Sequence, residues 1–362
     1  MAARAPTRAS VMRRTIATPL ILSVILVAFA LISVAVGSRP FNQTMIDIFL
    51  RVTLVVGLYI FVGNSGVISF GHAGFTCLGG YAAAWLTMPP MMKQTLLPGL
   101  PDWLMQLQLP FWAGAGLAAV WAAVWAAIFG KILMRLSGIA ASIATFAMLA
   151  MINTVYSNWE SVTAATSSVV GIPIVRTIWP YLIAAILAVF VAWAHAISRS
   201  GRALRAARDE PTAASASGID LPRERLIAFI ISGAVMGMGG ALYANSIGVV
   251  TPDTFYLGMT FITLSMLVVG GMSSLSGAVL GVLILSSLIQ ALRWLEAGVN
   301  IGTVEIALPN GLQEIALGVV MIVILAFRPT GIMANKELIW PRARTEGPGK
   351  PGKQTKAINK GD

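Results

Sequence analysis

Residues Gly63–Leu86 read GNSGVISFGHAGFTCLGGYAAAWL. The stretch is long enough to cross a bilayer, which takes about 20 apolar residues. It nevertheless carries Asn64, Ser65, Ser69, His72, Thr76 and six glycines. In a helix over 65–86, turning about 100° per residue, Ser65, Ser69, His72, Thr76, Gly79 and Ala83 fall on one narrow stripe. Gly66, Ala73, Cys77, Gly80 and Ala84 lie beside it, and Val67, Ile68, Phe70, Phe75, Leu78, Tyr81, Trp85 and Leu86 take the opposite side. Small and polar residues in hydrocarbon let helix backbones approach and hydrogen-bond across the contact. Two readings stay open: a tightly packed internal helix, or a face that lines a translocation route with Gly63 and Asn64 at a break offering backbone groups to a polar solute. Asn64, Ser65, Ser69, His72 and Thr76 are the candidates for that route. An ionisable residue inside a span is a functional candidate, but no carboxylate accompanies His72 in this stretch, so it reads as a neutral hydrogen-bonding group and not a proton relay.

The rest of the chain sets this stretch in a membrane. Of 362 residues, 57% are hydrophobic and only 11% charged, with mean hydropathy +0.81, against about 25% charged in soluble domains. Apolar runs near 18–36, 44–62, 65–87, 110–130, 138–156, 178–197, 226–247, 257–272, 275–295 and 311–327 predict an all-α polytopic protein of about ten transmembrane helices. The basic start, apolar run and small residues Ala35, Val36 and Gly37 also resemble a signal peptide, but about 19 apolar residues exceed its usual 7 to 15, which favours a retained helix.

The net charge of +11 is informative by position. With ten spans and a cytoplasmic N-terminus, 20 of the 25 Lys and Arg fall on cytoplasmic segments; Arg39, Arg51, Lys93, Arg176 and Arg293 are the exceptions. The positive-inside rule therefore puts both termini in the cytoplasm and explains the charge without a nucleic-acid partner. The chain divides into a basic segment 1–17, a transmembrane domain 18–335 and a Gly, Pro and Lys-rich tail 336–362, expected to be disordered and to touch anionic lipid.

Several chemistries are absent. Cys77 is the single cysteine and His72 and His195 the only histidines, too few for a metal cage. His195 lies near a helix end and reads as an interfacial or capping residue. There is no GxxxxGK[ST] loop, so the chain itself is not expected to hydrolyse ATP, and no catalytic constellation appears.

Two loops stand out. The outer segment SNWESVTAATSSVVGIPIVRT, 157–177, is polar enough for an exposed face or a lid. The inner segment 198–225 has its own helix signals. Asp209 or Glu210 is placed to cap a helix with Pro211 in its first turn, Gly218 supplies a left-handed stop and Pro222 follows. Arg202, Arg205 and Arg208 recur every three residues before it. Read blandly, this is a solvated basic loop; read sharply, Ala213, Ala214 and Ala216 permit close approach by a partner's groove.

At this point a resemblance becomes specific. GRALRAARDEPTAASASGIDLPRERLIAFIISGAVMGMGGALYA (201–244) and TPDTFYLGMTFITLSMLVVGGMSSLSGAVLG (251–281) resemble the signature region of the LivM-type permeases, one of the two membrane subunits of bacterial ABC importers for branched-chain amino acids, amides and urea. LYIFVGNSGVISFGHAGFTCLGGYAAAWL (58–86), RLSGIAASIATFAMLAMINTVYSNW (135–159) and GIP (171–173) are similar to the family's other motifs in order, over roughly 44–330. The resemblance implies a multi-pass protein of the bacterial inner membrane that imports branched-chain amino acids or related small polar solutes. It also implies a homologous second permease, two cytoplasmic ATPases that hold the ATP and magnesium, and an extracytoplasmic binding protein. Arg205, Arg208, Asp209, Glu210, Ala213, Ala214 and Gly218 match the element that couples to the ATPase.

The chain departs from the pattern in two places. TAATSSVVG (163–171) stands where the family usually has Thr-Gly-Gly and Asp-Gly, and Pro211-Thr212 separates Glu210 from the alanines. The rival reading is a stand-alone secondary transporter or channel, suggested by broken Gly-rich spans; it calls for charged pairs near the midplane, and none is convincing in the sequence.

Overall fold

The structure is a computed structural model and describes residues 8–296, with 299–301, 304–306, 318–320, 322–323, 326–328, 330–333 and 337 beyond them. In chain order the helices are α1 (Arg8–Val36), α2 (Arg39–Ser65), α3 (His72–Thr87), α4 (Pro90–Leu96), α5 (Asp102–Gln106), α6 (Phe111–Leu133), α7 (Gly138–Asn158), α8 (Glu160–Thr163), α9 (Trp179–Ile197), α10 (Arg199–Asp209), α11 (Pro211–Ala216), α12 (Leu221–Ile247), α13 (Leu257–Gly270) and α14 (Leu275–Glu296). Two small antiparallel ribbons accompany them: β1 (Val169–Val170) with β2 (Val249–Val250), and β3 (Val299–Ile301) with β4 (Val304–Ile306).

Among the described residues, eight helices are long and apolar enough to cross a membrane: Ile16–Val36 in α1, then α2, α6, α7, α9, α12, Pro252–Gly270 and Leu275–Arg293. The protein is therefore an all-α polytopic membrane protein. Of the ten runs in the sequence, 311–327 lies largely outside the described residues, as does the tail from 336. The run 65–87 is corrected: it is not one helix. α2 continues through Ser65, the backbone turns left-handed at Gly66 (φ +71°) and helix resumes only at His72. α3 has 16 residues, about 24 Å at 1.5 Å each, short of the ~30 Å hydrocarbon core. Gly66 tolerates the positive φ that a side chain would resist.

α12 is the central post, packed on α3, α6 and α2; α9 and α14 pack on α2, α13 on α14, and α1 on α9 and α2. Small residues make the closest seams. α6 turns Gly114, Ala115, Ala118, Ala122, Ala126 and Gly130 inward and leaves Val120, Val124, Ile128 and Ile132 exposed. This is the division expected of a span between protein and lipid. A Cβ on Gly237 of α12 would lie 2.3 Å from the Ala122 Cβ, and one on Gly240 would lie 2.0 Å from the Thr76 carbonyl oxygen.

The 27 residues of α12 separate two ends of the bundle by about 40 Å. At one end sit α10 and α11. At the other, the polar segment 157–177 is tied down: β1 pairs with β2, Val175 N–H donates to the Asn245 carbonyl at 2.8 Å, and Asn245 Nδ2 donates to the Pro173 carbonyl at 2.9 Å.

On α4, in the connection between α3 and α6, Lys93 is fully buried, its ammonium donating to the carbonyls of Leu104 (3.0 Å) and Leu107. Burial lowers its pKa from the ordinary lysine value. The unfolded chain then binds more protons than the folded one between the two values, so stability rises with pH across that window. The melting temperature of purified protein is expected to climb as pH approaches the ordinary lysine value from below, and the climb to vanish in Lys93→Met. A flat profile in the unaltered protein would contradict this.

Candidate translocation and coupling site

Several polar groups at the break after α2 find partners within the chain. A helix end leaves its last carbonyls without intrahelical donors, and non-helical backbone at membrane depth must find partners in protein. Gly66 N–H donates to the Val62 carbonyl at 3.0 Å and Val67 N–H to Ser65 Oγ at 3.2 Å. α7 supplies two side chains: Ser142 Oγ donates to the Ile68 carbonyl at 2.6 Å, and Thr145 Oγ1 accepts from Phe70 N–H at 3.4 Å. Arg208 of α10 donates from Nη1 to the Gly63 carbonyl at 2.7 Å. Asn64 Nδ2 donates back to the Ile60 carbonyl at 2.9 Å, while its Oδ1 is buried without a protein partner.

Beyond the break, Ser69 Oγ and His72 Nδ1 share a hydrogen bond of 2.7 Å. The His72 ring sits among Phe61, Phe75 and Phe229, with centroids 5.3, 5.8 and 5.2 Å away. His72 Nε2 and Thr76 Oγ1 are buried with no hydrogen-bond partner. Asn64, Ser65, Ser69, His72 and Thr76 are each 5% exposed or less, so all five are enclosed by this chain. They do not share a helical stripe, because the break puts Asn64 and Ser65 on α2, Ser69 in the non-helical segment between, and His72 and Thr76 on α3. Losing the hydroxyl in Ser69→Ala removes one buried hydrogen bond, worth about 1 kcal/mol, so the melting temperature in detergent is expected to fall by about 2 °C. An unchanged melting curve would remove Ser69 from any role in holding His72.

The second cluster lies at the end of α2. Ser198 caps α10 by accepting from Gly201 N–H at 3.0 Å, Glu210 caps α11 through Thr212 N–H at 3.4 Å, and Asp220 caps α12 through Arg223 N–H at 3.3 Å. Gly218 has φ +81°, and Ile219 N–H reaches back to the Ala214 carbonyl, a C-cap of the type that ends helices on glycine. Asp209, Glu210, Ala213 and Gly218 are exposed and Ala214 is buried, whereas Arg205 and Arg208 are partly buried and turn inward, Arg205 to the Ala196 carbonyl and Arg208 to Gly63. The seven coupling candidates thus divide into an outward set and an inward pair.

Two further charged residues lie in α2 outside the candidate set, Arg51 having figured only as an exception to the charge pattern. Asp47 and Arg51 lie one turn apart on α2, in the electrostatic neighbourhood of Arg293 from α14, and Arg51 Nη1 is buried without a hydrogen-bond partner. Their i, i+4 spacing within an apolar run was the available signal.

A cavity of 340 Å³ opens at the break, lined by Gly63, Gly66, Arg208, Met272, Ser273 and Thr330 among others. A larger one, 580 Å³, is lined by Trp85, Trp121, Trp125 and Tyr156 and holds none of the candidate residues. Among the described residues, no three His, Cys, Asp or Glu side chains are grouped as for a metal ion.

Eight apolar helices among the described residues, around an enclosed polar break, make this a multi-pass membrane protein, and comparison with known proteins gives the family. A family model described as branched-chain amino acid transport system / permease component matches residues 41–325. The chain is 25% identical over 318 residues to the high-affinity branched-chain amino acid transport system permease protein LivM of Escherichia coli (strain K12), covering 78% of this chain and 67% of that protein. It is 31% identical over 142 residues to LivH of the same type of system in Salmonella typhimurium, 39% of this chain and 42% of that protein. It is also 26% identical over 144 residues to the autoinducer 2 import system permease protein LsrC of Escherichia coli O9:H4, 39% of this chain and 40% of that protein. No solved structure gives a significant match. The chain belongs to the branched-chain amino acid transport system permease family.

Proposed function

We propose that this protein is the LivM-like permease subunit of an ABC importer. It carries branched-chain amino acids or related small polar solutes inward, and separate ATPases drive it. The observation that carries the reading is the α10–α11 elbow, a capped helical turn with its exposed side on Asp209, Glu210 and Ala213, projecting from a bundle of this family. The basic residues at that end of the bundle support a cytoplasmic location for the elbow and for both termini.

A homologous second permease, two cytoplasmic ATPases and an extracytoplasmic binding protein complete the complex, and no cofactor resides in this chain. Relatives of both LivM and LivH types support the paired permease. Asn64, Ser65, Ser69, His72 and Thr76 form the wall of the route in its shut state. Three of them hold polar atoms without protein partners, Asn64 Oδ1, His72 Nε2 and Thr76 Oγ1, which suit a polar solute once the break opens. The substrate class is tested on the binding protein of this proposed complex. Leucine, isoleucine and valine are expected to raise its melting temperature; a rise with urea or short amides alone would replace the amino-acid assignment.

A further inference from the structure

The inward pair on α10 has a consequence for how docking at the elbow reaches the spans. Arg208 sits 145 residues from Gly63 in sequence, yet its Nη1 donates to the Gly63 carbonyl at 2.7 Å. That carbonyl is among the last four of α2, the groups that a helix leaves without internal donors and that a cation at the C-terminus stabilises. The side-chain stem is also packed on the first residue of the break: a Cβ at Gly66 would lie 2.5 Å from Arg208 Cγ. Asp209, at 3.5 Å from Arg208 Nε, flanks the guanidinium from the exposed side. Gly63, Gly66 and Arg208 then share the wall of the 340 Å³ cavity with Met272 and Ser273 of the α13–α14 turn. One residue therefore joins α10 to the end of α2, to the break and to the cavity beneath it.

We propose that Arg208 is the linkage by which the α10–α11 elbow moves the break at Gly66–Gly71. It is a positioning residue for transport and not part of the surface that holds the ATPase. The inference rests on the importer reading above. The contact is short-ranged: a hydrogen bond of 2.7 Å is lost by 3.5 Å, so a shift of about 1 Å in α10 either carries the end of α2 with it or uncaps it. Both outcomes disturb the segment that Ser142 and Thr145 otherwise hold still. Arg205, bonded to the Ala196 carbonyl at the junction of α9 and α10, fixes the other end of α10 and makes Arg208 the moving end of the lever.

The test uses the full complex in proteoliposomes, with the ATPases, second permease and binding protein, and reads ATP hydrolysis and leucine uptake in the same vesicles. Arg208→Ala is expected to capture the ATPases as the unaltered chain does and to keep hydrolysing ATP, while leucine transported per ATP falls by about tenfold or more. Arg208→Lys, which keeps a cation and one donor, is expected to recover part of the loss. Unchanged transport per ATP in Arg208→Ala overturns the proposal, and so does loss of ATPase capture, which would place Arg208 in the docking surface. If Arg208→Ala does not fold, Arg208→Lys and Gly66→Ala decide: reduced transport per ATP with retained capture supports the linkage, and unchanged coupling in both overturns it. An unaltered chain that captures no ATPase sinks the importer reading itself, a result visible before any variant is compared.

Discussion

Replacing Gly240 with leucine is expected to leave little or no folded protein in the membrane. The Cβ alone would lie 2.0 Å from the Thr76 carbonyl oxygen and 2.8 Å from the Gly80 nitrogen, both backbone atoms of α3. A flexible side chain could swing aside, but here the whole of α3 would have to retreat from α12. It could not retreat alone, since a Cβ at Gly79 would already lie 2.0 Å from the Gly237 carbonyl, so the seam is tight in both directions. Overpacking a close-packed core costs roughly 1–3 kcal/mol when side chains can adjust, and more when only backbone can move, against a total stability of about 5–15 kcal/mol. Gly116→Leu is the control, because a Cβ at this exposed position on α6 meets nothing within 4 Å. Membrane yield and a monodisperse detergent profile check both. A folded Gly240→Leu protein with normal yield would mean that α3 and α12 are not in backbone contact.

The second large effect is on assembly. Ala213 is exposed on α11, whereas its neighbour Ala214 is buried, so a bulky group at 214 would disturb the elbow itself and one at 213 only what lies against it. Ala213→Trp is expected to leave the melting temperature of the permease unchanged and to reduce ATPase co-purification by about tenfold or more, as a steric block at the centre of an interface does. Normal co-purification would remove α11 from the docking surface.

The elbow was the part most legible in the sequence. A capping acid, a proline in the first turn and a glycine at the stop are local signals, and α11 forms over Pro211–Ala216 with Glu210 as its cap and Gly218 left-handed. The small-residue seams were legible for the same reason, since Gly233 and Gly237 recur at helical spacing and both meet alanines of α6. The break was half legible. Asn64 and Gly63 marked its neighbourhood, but Gly66–Gly71 keeps enough apolar residues to pass as continuous helix, and the stripe drawn through 65–86 followed from that continuity. What holds the break apart is non-local: Ser142, Thr145 and Arg208 come from 74, 75 and 145 residues away, and no periodicity in the stretch itself reports them. The inward turn of Arg208 is likewise a tertiary fact, because its spacing from Arg202 and Arg205 fits a solvated basic face equally well.

Uptake of labelled leucine into proteoliposomes bears most directly on the central claim that this chain is one part of an ATP-driven importer. With the second permease, the ATPases, the binding protein and ATP all present, leucine is expected to accumulate against its gradient, and omitting the ATPases or ATP is expected to abolish uptake. Leucine flux through vesicles that contain this chain alone would contradict the account and establish a transporter or channel that works without a motor.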